Sequence, residues 1–158
     1  MKSEDPIESD FGRYLEDFKE GMVIRHWPGK TITESDNNLF SLITMNHHPV
    51  HLDQHYARKA IHGQVLVVGT LVFSLAVGLT VREISGRAIA NLNYSEILHL
   101  APVFIGDTIY AESKILSVRS SRSKPDRGVV KVKTTVTNQK GEKVLSFSRE
   151  VLIPKTKR

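Results

Sequence analysis

The stretch Gly63-Gln64-Val65-Leu66-Val67-Val68-Gly69-Thr70-Leu71-Val72-Phe73-Ser74-Leu75-Ala76-Val77-Gly78-Leu79-Thr80-Val81 decides the fold of this chain. It carries no charged side chain, and its length is borderline for a membrane span, which needs about 20 predominantly apolar residues. Gln64, Thr70, Ser74, Thr80 and its glycines interrupt it, and no second span or aromatic belt accompanies it. The stretch is predicted to be one long helix, apolar all round and buried on all sides by protein. One flat sheet face cannot cover such a rod. A strongly curved sheet can, with a second subunit closing the remaining side.

Downstream the pattern changes to period two. Residues 88–99, 108–117, 129–138 and 144–153 read as strands. Pro102 with Gly106-Asp107, then Pro125-Asp126-Arg127-Gly128, then Lys140-Gly141 supply the turns, and the last two imply antiparallel hairpins. Upstream, residues 1–10 read as a loose acidic tail, and Phe11, Tyr14, Leu15 and Phe18 fit a short docked helical turn. Residues 22–32 read as a strand bent at Pro28-Gly29. Thr33 with Asp36 resembles a capping box opening a helix whose apolar face is Leu39, Phe40, Leu42 and Ile43. Pro49 breaks that helix, and Asp53 caps a short one over 54–60. The class is α+β: an antiparallel curved sheet around a long buried central helix. Residues 1–17 are assigned to a tail and docking segment and 18–155 to a single domain.

The 158 residues suffice for one core without staples. The absence of cysteine excludes a disulfide scaffold, a thiol nucleophile and any Cys-ligated metal site, and it favours a reducing compartment, so a cytoplasmic location is expected. The N-terminus is too polar for a signal or transit peptide. The formal charge of +5 suits an anionic ligand. Arg119, Arg122, Lys124, Arg127, Lys131 and Lys133 form a basic run across a hairpin, which is either a solvated face or a cradle for phosphates. It holds no stacking aromatics, so nucleic acid is not an expected partner. Five of the seven histidines fall between His47 and His62, but Pro49 keeps His47 and His51 off one helix, and no metal site is expected.

Pro49-Val50-His51-Leu52-Asp53, then Ala57, then His62-Gly63 ahead of the apolar stretch, resemble the MaoC-like group of the hotdog fold, the (R)-specific enoyl-CoA hydratases and their relatives. Ala101-Pro102-Val103-Phe104-Ile105-Gly106-Asp107-Thr108 resembles a loop of the same group. The resemblance covers residues 18–153. It implies hydration of a 2-enoyl thioester, or the reverse dehydration, with coenzyme A entering as part of the substrate and no further cofactor. In the family motif Asp-x-Asn-Pro-x-His, the His falls on His51, the Pro on Pro49, the Asn on His48 and the Asp on Asn46. The family's oxyanion glycine falls on Gly63, and a frequent serine of its helix falls on Leu71.

The chemistry fits these residue types. Water must lose a proton as it attacks C3, C2 must gain one, and the thioester oxygen must carry charge between the two steps. The neutral imidazole of His51 can accept and return a proton near pH 7. The Gly63 amide, placed at the helix N-terminus, would face the developing charge. Asn46 cannot exchange a proton, although its amide can hold water or a carbonyl; it also suits a helix C-cap. His48, Gln64, Arg127 and Lys131 are expected to bind the substrate. Two alternatives remain open at this stage. A hotdog thioesterase is one, although 63–81 lacks the acid that such relatives usually carry. A non-catalytic acyl-CoA-binding subunit is the other, motivated by Asn46. The resemblance also implies a homodimer or a dimer of dimers.

Overall fold

The computed structural model describes residues 11–156. The acidic tail expected over 1–10 lies outside the described residues. Leu15–Asp17 form a 3-10 turn that docks through Leu15 and the adjacent Phe18, both buried. β1 (Val23–Arg25) and β2 (Lys30–Thr31) flank the bend expected at Pro28-Gly29. α1 is Glu34–Ile43, α2 the single turn Pro49–Leu52, and α3 Gln54–Lys59. The central helix α4 spans Gly69–Leu79 and continues into a π-helical turn, Val81–Ser85. β3 (Ala90–His99), β4 (Thr108–Ser120), β5 (Arg127–Thr137) and β6 (Lys143–Pro154) follow, close to the expected strands.

The sheet is antiparallel throughout, in the order β1-β4-β5-β6-β3, with β2 pairing the start of β4. Its inner face carries two apolar clusters. One packs Val68, Leu71, Val72 and Ala76 of the helix region against Ile109, Ala111, Val136, Leu145 and Phe147. The other joins Leu15, Phe18, Ile24 and Ile84 to Ile115, Val130, Val132, Val151 and Ile153. Buried polar groups lie among these residues. Glu83 accepts from His26 Nδ1 at 2.8 Å, so in a neutral ring Nε2 accepts from Ser113 Oγ at 2.9 Å, and Ser113 accepts in turn from Thr134 Oγ1 at 2.8 Å. The fully buried Arg149 donates to Thr80 Oγ1 at 2.7 Å and to Asn91 Oδ1 at 3.2 Å.

Three expectations need correction. The helix does not open at Gly63. Residues 63–68 run as a turn and an extended segment, with Leu66 bridged to Phe104 and the Val67 amide bonded to the Val103 carbonyl at 2.9 Å. The β-branched Val65, Val67 and Val68 favour that extended geometry, and Gly63 sits at φ +67°, off the helical region. Nor is the helix buried on all sides, because Thr70, Ser74 and Gly78, spaced one turn apart, are exposed. Finally, α1 does not bury Leu39, Leu42 and Ile43, which stand in solvent. Its buried side chains are Asn37 and Ser41, with Phe40 packed on the core. Among the described residues no helix is long and apolar enough to cross a membrane.

Candidate active site

The site is built by the chain between α1 and α4. The capping box at the start of α1 forms as expected: Thr33 Oγ1 accepts from the Asp36 amide and Asp36 from the Thr33 amide. Lys30, 2.8 Å away, and the Thr33 amide hold the Asp36 carboxyl at about 2, so it stays charged at the positive end of the helix dipole. At the other end Met45, not Asn46, takes the left-handed turn (φ 58°), and the Asn46 amide reaches back to the Ser41 carbonyl at 2.9 Å. Asn46 thus follows the cap. Its Oδ1 accepts a long bond from the His48 amide (3.4 Å), and its Nδ2 has no partner among the described residues.

Pro49 ends the extended segment and opens α2, where its missing N–H costs nothing. His48 caps that turn, its Nδ1 accepting from the Val50 amide at 3.1 Å. His51 follows in the same turn, and its Nδ1 lies 2.6 Å from the Leu66 carbonyl oxygen. A carbonyl only accepts, so Nδ1 bears the proton. In the neutral ring Nε2 then carries the lone pair, as a general base requires. The His48 and His51 rings stand 6.0 Å apart, edge to face, and the Tyr56 ring lies edge to face with His48 at 6.3 Å.

Asn37 fixes this arrangement, and sequence reasoning missed it. The fully buried side chain donates Nδ2 to the His51 carbonyl at 2.9 Å and accepts through Oδ1 from the Val68 amide at 3.0 Å. One side chain therefore ties the histidine turn to the residue that precedes α4. An asparagine among Asp36, Asn38 and Ser41 reads as surface. The available signal was the apolar face beside it, which is too wide for a helix this exposed.

Gly63 does not take the place assigned to it. It is exposed, lies outside α4, and its N–H is spent on the Ala60 carbonyl at 3.0 Å. The next two amides, Gln64 and Val65, have no acceptor among the described residues. Gly63, Gln64 and Val65 line a cavity of about 290 Å³ with Glu34, Arg58 and Ile105. Gln64, expected to bind the substrate, lines this cavity, and Arg58 in its wall is a cation that the sequence reading did not consider. Arg127 and Lys131 are not brought there. Arg127 forms a two-point ion pair with its neighbour Asp126 at the far end of β5, about 30 Å along the strand from the β2–β4 end. Lys131 stands in solvent on β5, opposite Glu150 of β6.

The loop before β4 is braced rather than reactive. Asp107 accepts from the Phe104 amide at 2.9 Å and from Gln139 Nε2 at 2.7 Å. This holds Val103 and Phe104 against residues 66 and 67. Among the described residues no group of three or more His, Asp or Glu is placed to hold a metal ion.

A single central helix on an open antiparallel sheet, with a histidine-bearing turn beside the helix entry, defines a hotdog protein. The chain belongs to the MaoC like domain family, whose pattern matches residues 17–139. It is 35% identical over 149 residues to a mesaconyl-CoA hydratase of Cereibacter sphaeroides, covering 94% of this chain and 43% of that protein. It is 29% identical over 141 residues to an (R)-specific enoyl-CoA hydratase of Rhodospirillum rubrum, covering 89% of this chain and 92% of that one. A Mycobacterium tuberculosis protein described as a double hotdog fold superposes with a TM-score of 0.84 at 25% identity, over 92% of this chain and 45% of the other. The chain therefore spans less than half of the length of several relatives it matches.

Proposed function

We propose that this protein adds water to, or removes it from, a 2-enoyl-CoA thioester. The observation that carries the reading is the bond from His51 Nδ1 to the Leu66 carbonyl, which leaves Nε2 free to take a proton. Nε2 removes a proton from water as its oxygen bonds to C3, and the double-bond electrons move toward the thioester oxygen. The imidazolium then returns the proton to C2, so one water is added and the histidine is restored. The amides of Gln64 and Val65, rather than that of Gly63, face the thioester oxygen. Asn46 orients the water through its amide without exchanging a proton. Arg58, beside Gln64, takes the cationic role toward the coenzyme A phosphates. The hydratase names of the relatives support this reaction class.

The catalytic unit is a homodimer. Every residue of β3 is exposed, and Leu39, Leu42, Ile43, Met45 and Ile61 are further exposed apolar side chains. A second copy covers these surfaces and closes the open side of α4. Gel filtration should give twice 17.8 kDa, and a mass of one chain would contradict the dimer.

The reaction is tested with crotonyl-CoA, followed by loss of the conjugated-thioester absorbance. Turnover that disappears in His51→Ala supports it. Release of free coenzyme A would replace the reading with a thioesterase, and binding without turnover would make the chain a non-catalytic subunit.

A further inference from the structure

The face of the sheet turned away from α4 holds a cavity of about 400 Å³, distinct from the one at Gln64. Arg25, Trp27, Tyr110, Thr135, Thr137 and Lys143 supply its chemistry. On β4 and β5, Tyr110, Glu112, Thr135 and Thr137 alternate with the buried Ile109, Ala111, Thr134 and Val136, so they point away from the helix. Strand register arranges this face in rows. Tyr110, Thr137 and Lys143 form one, Arg25, Glu112 and Thr135 the next, and Lys114 with Lys133 a third. The rows lie on β1, β4, β5 and the start of β6, so a second copy joined along β3 leaves them open.

Two independent features point to a ligand. The first is aromatic. Trp27 is 79% exposed, and the Tyr110 ring lies on Gly29, where a Cβ would come within 2.6 Å of two ring carbons. The bend after β1 thus brings an uncovered indole and a braced phenol to one cavity. The second is charge. Lys114 and Lys133 stand directly opposite each other on paired strands, an arrangement that costs stability, and neither they nor Lys143 has an acidic partner among the described residues. Glu112 is the one carboxylate in the wall, and it accepts from Arg25 Nε at 3.0 Å, which leaves the terminal nitrogens of that guanidinium unspent. Exposed aromatic rings stack flat heterocycles, and clustered cations take phosphates. The volume falls within the range of small-ligand cavities. We infer that this cavity binds a purine nucleoside diphosphate, with the base against Trp27 and Tyr110 and the phosphates toward Thr135, Thr137, Lys143 and Lys133. The inference stands apart from the hydratase reading. Coenzyme A carries the same chemistry at its nucleotide end, so the source is either the substrate or a free nucleotide.

Trp27 is the chain's only tryptophan, so its fluorescence reports this cavity alone. The full-length protein is titrated with ADP, adenosine and inorganic pyrophosphate. ADP should quench the emission saturably and bind roughly tenfold tighter than adenosine or pyrophosphate, because only ADP engages both the rings and the cations. Lys143→Gln should weaken ADP while leaving adenosine unchanged. Calorimetry on Trp27→Leu, with a cooperative urea transition as the check of folding, should show the heat of ADP binding lost. No saturable response to ADP, pyrophosphate binding as tightly as ADP, or full ADP affinity in both variants overturns the inference. Inhibition of crotonyl-CoA turnover then separates the sources. Competition by ADP that Lys143→Gln relieves assigns the cavity to the nucleotide end of coenzyme A, and ADP binding without competition assigns it to a free nucleotide. With no turnover at all the hydratase reading falls, and the fluorescence titration still decides this inference.

Discussion

The two ends of the sheet hold their chain by different means. At the site end, positions are set by side-chain bonds to backbone: Asn37 to His51 and Val68, His51 to Leu66, Asp107 to Phe104. At the far end, the side chains of Leu15, Phe18, Ile24 and Ile84 pack on Ile115, Val130, Val132 and Ile153, and the backbone bonds of Gly21 and Met22 to Ile115 only continue the sheet ladder. Hydrogen bonds are directional, and apolar contact is not. The first end fixes where an atom sits, and the second supplies stability without specifying any reactive group. Damage at one end should therefore appear in rate, and at the other in folding.

The sharpest break of that contrast is at His51. His51→Ala should lower crotonyl-CoA turnover by about 10²–10⁴-fold, the usual worth of a general acid–base, while urea denaturation shows an ordinary cooperative transition. Ile115→Ala, at the far end, should cost about 2–5 kcal/mol in the same denaturation experiment and leave kcat per folded molecule unchanged. Asn37→Ala joins the two kinds of effect. It orphans the Val68 amide and releases the His51 turn, so a loss of about 1–3 kcal/mol should come with a fall in kcat. If kcat per folded molecule were untouched, Asn37 would belong to the packing end instead.

His26 sharpens the comparison from between the two ends. Burial holds its imidazole below the ordinary value of 6.5, against the opposing pull of Glu83. As pH falls below about 6.5 the unfolded chain takes up a proton that the folded one resists. Stability should then decline toward acid, by at most about 1.4 kcal/mol per pH unit. Urea midpoints at pH 7.5 and 5.5 should differ in the wild type and differ less in His26→Gln. The smallest effect is expected for Asp36→Asn, about 0.5–1 kcal/mol at neutral pH through the lost cap and ion pair. The Asp36 carboxyl is depressed in the folded state, so its contribution is complete above about 4 and is lost as pH falls through about 2. The variant and wild type should converge there in thermal melts.

The strands were legible because alternation and turn residues act locally: Lys131 and Lys133 point outward between buried Val130, Val132 and Thr134. The capping box and the Asp53 cap were legible for the same reason. The start of α4 was not, because a continuous apolar run has no period to separate helix from buried extended chain. The bonds that keep 66–68 extended come from Val50, Val103 and Asn37, all distant in sequence. Within the site, the motif pointed to Asn46, His48 and His51, which fall in and just before the single turn α2. It could not show that the Gly63 amide is already occupied, nor that Arg127 and Lys131 lie outside the cavity lined by Gly63, Gln64 and Val65. Those facts depend on register and tertiary hydrogen bonding.

The sheet's borders are unequal, and this limits how copies can join. β3 offers ten residues of open edge, whereas β1 at the opposite border offers three. In the dimer proposed above, joining β3 to another β3 would use up the longer border of each copy, leaving the shorter, interrupted one at β1, β2 and the end of β4. Two register shifts and the left-handed Glu96 bend the long border, which denies a flat template to cross-β stacking.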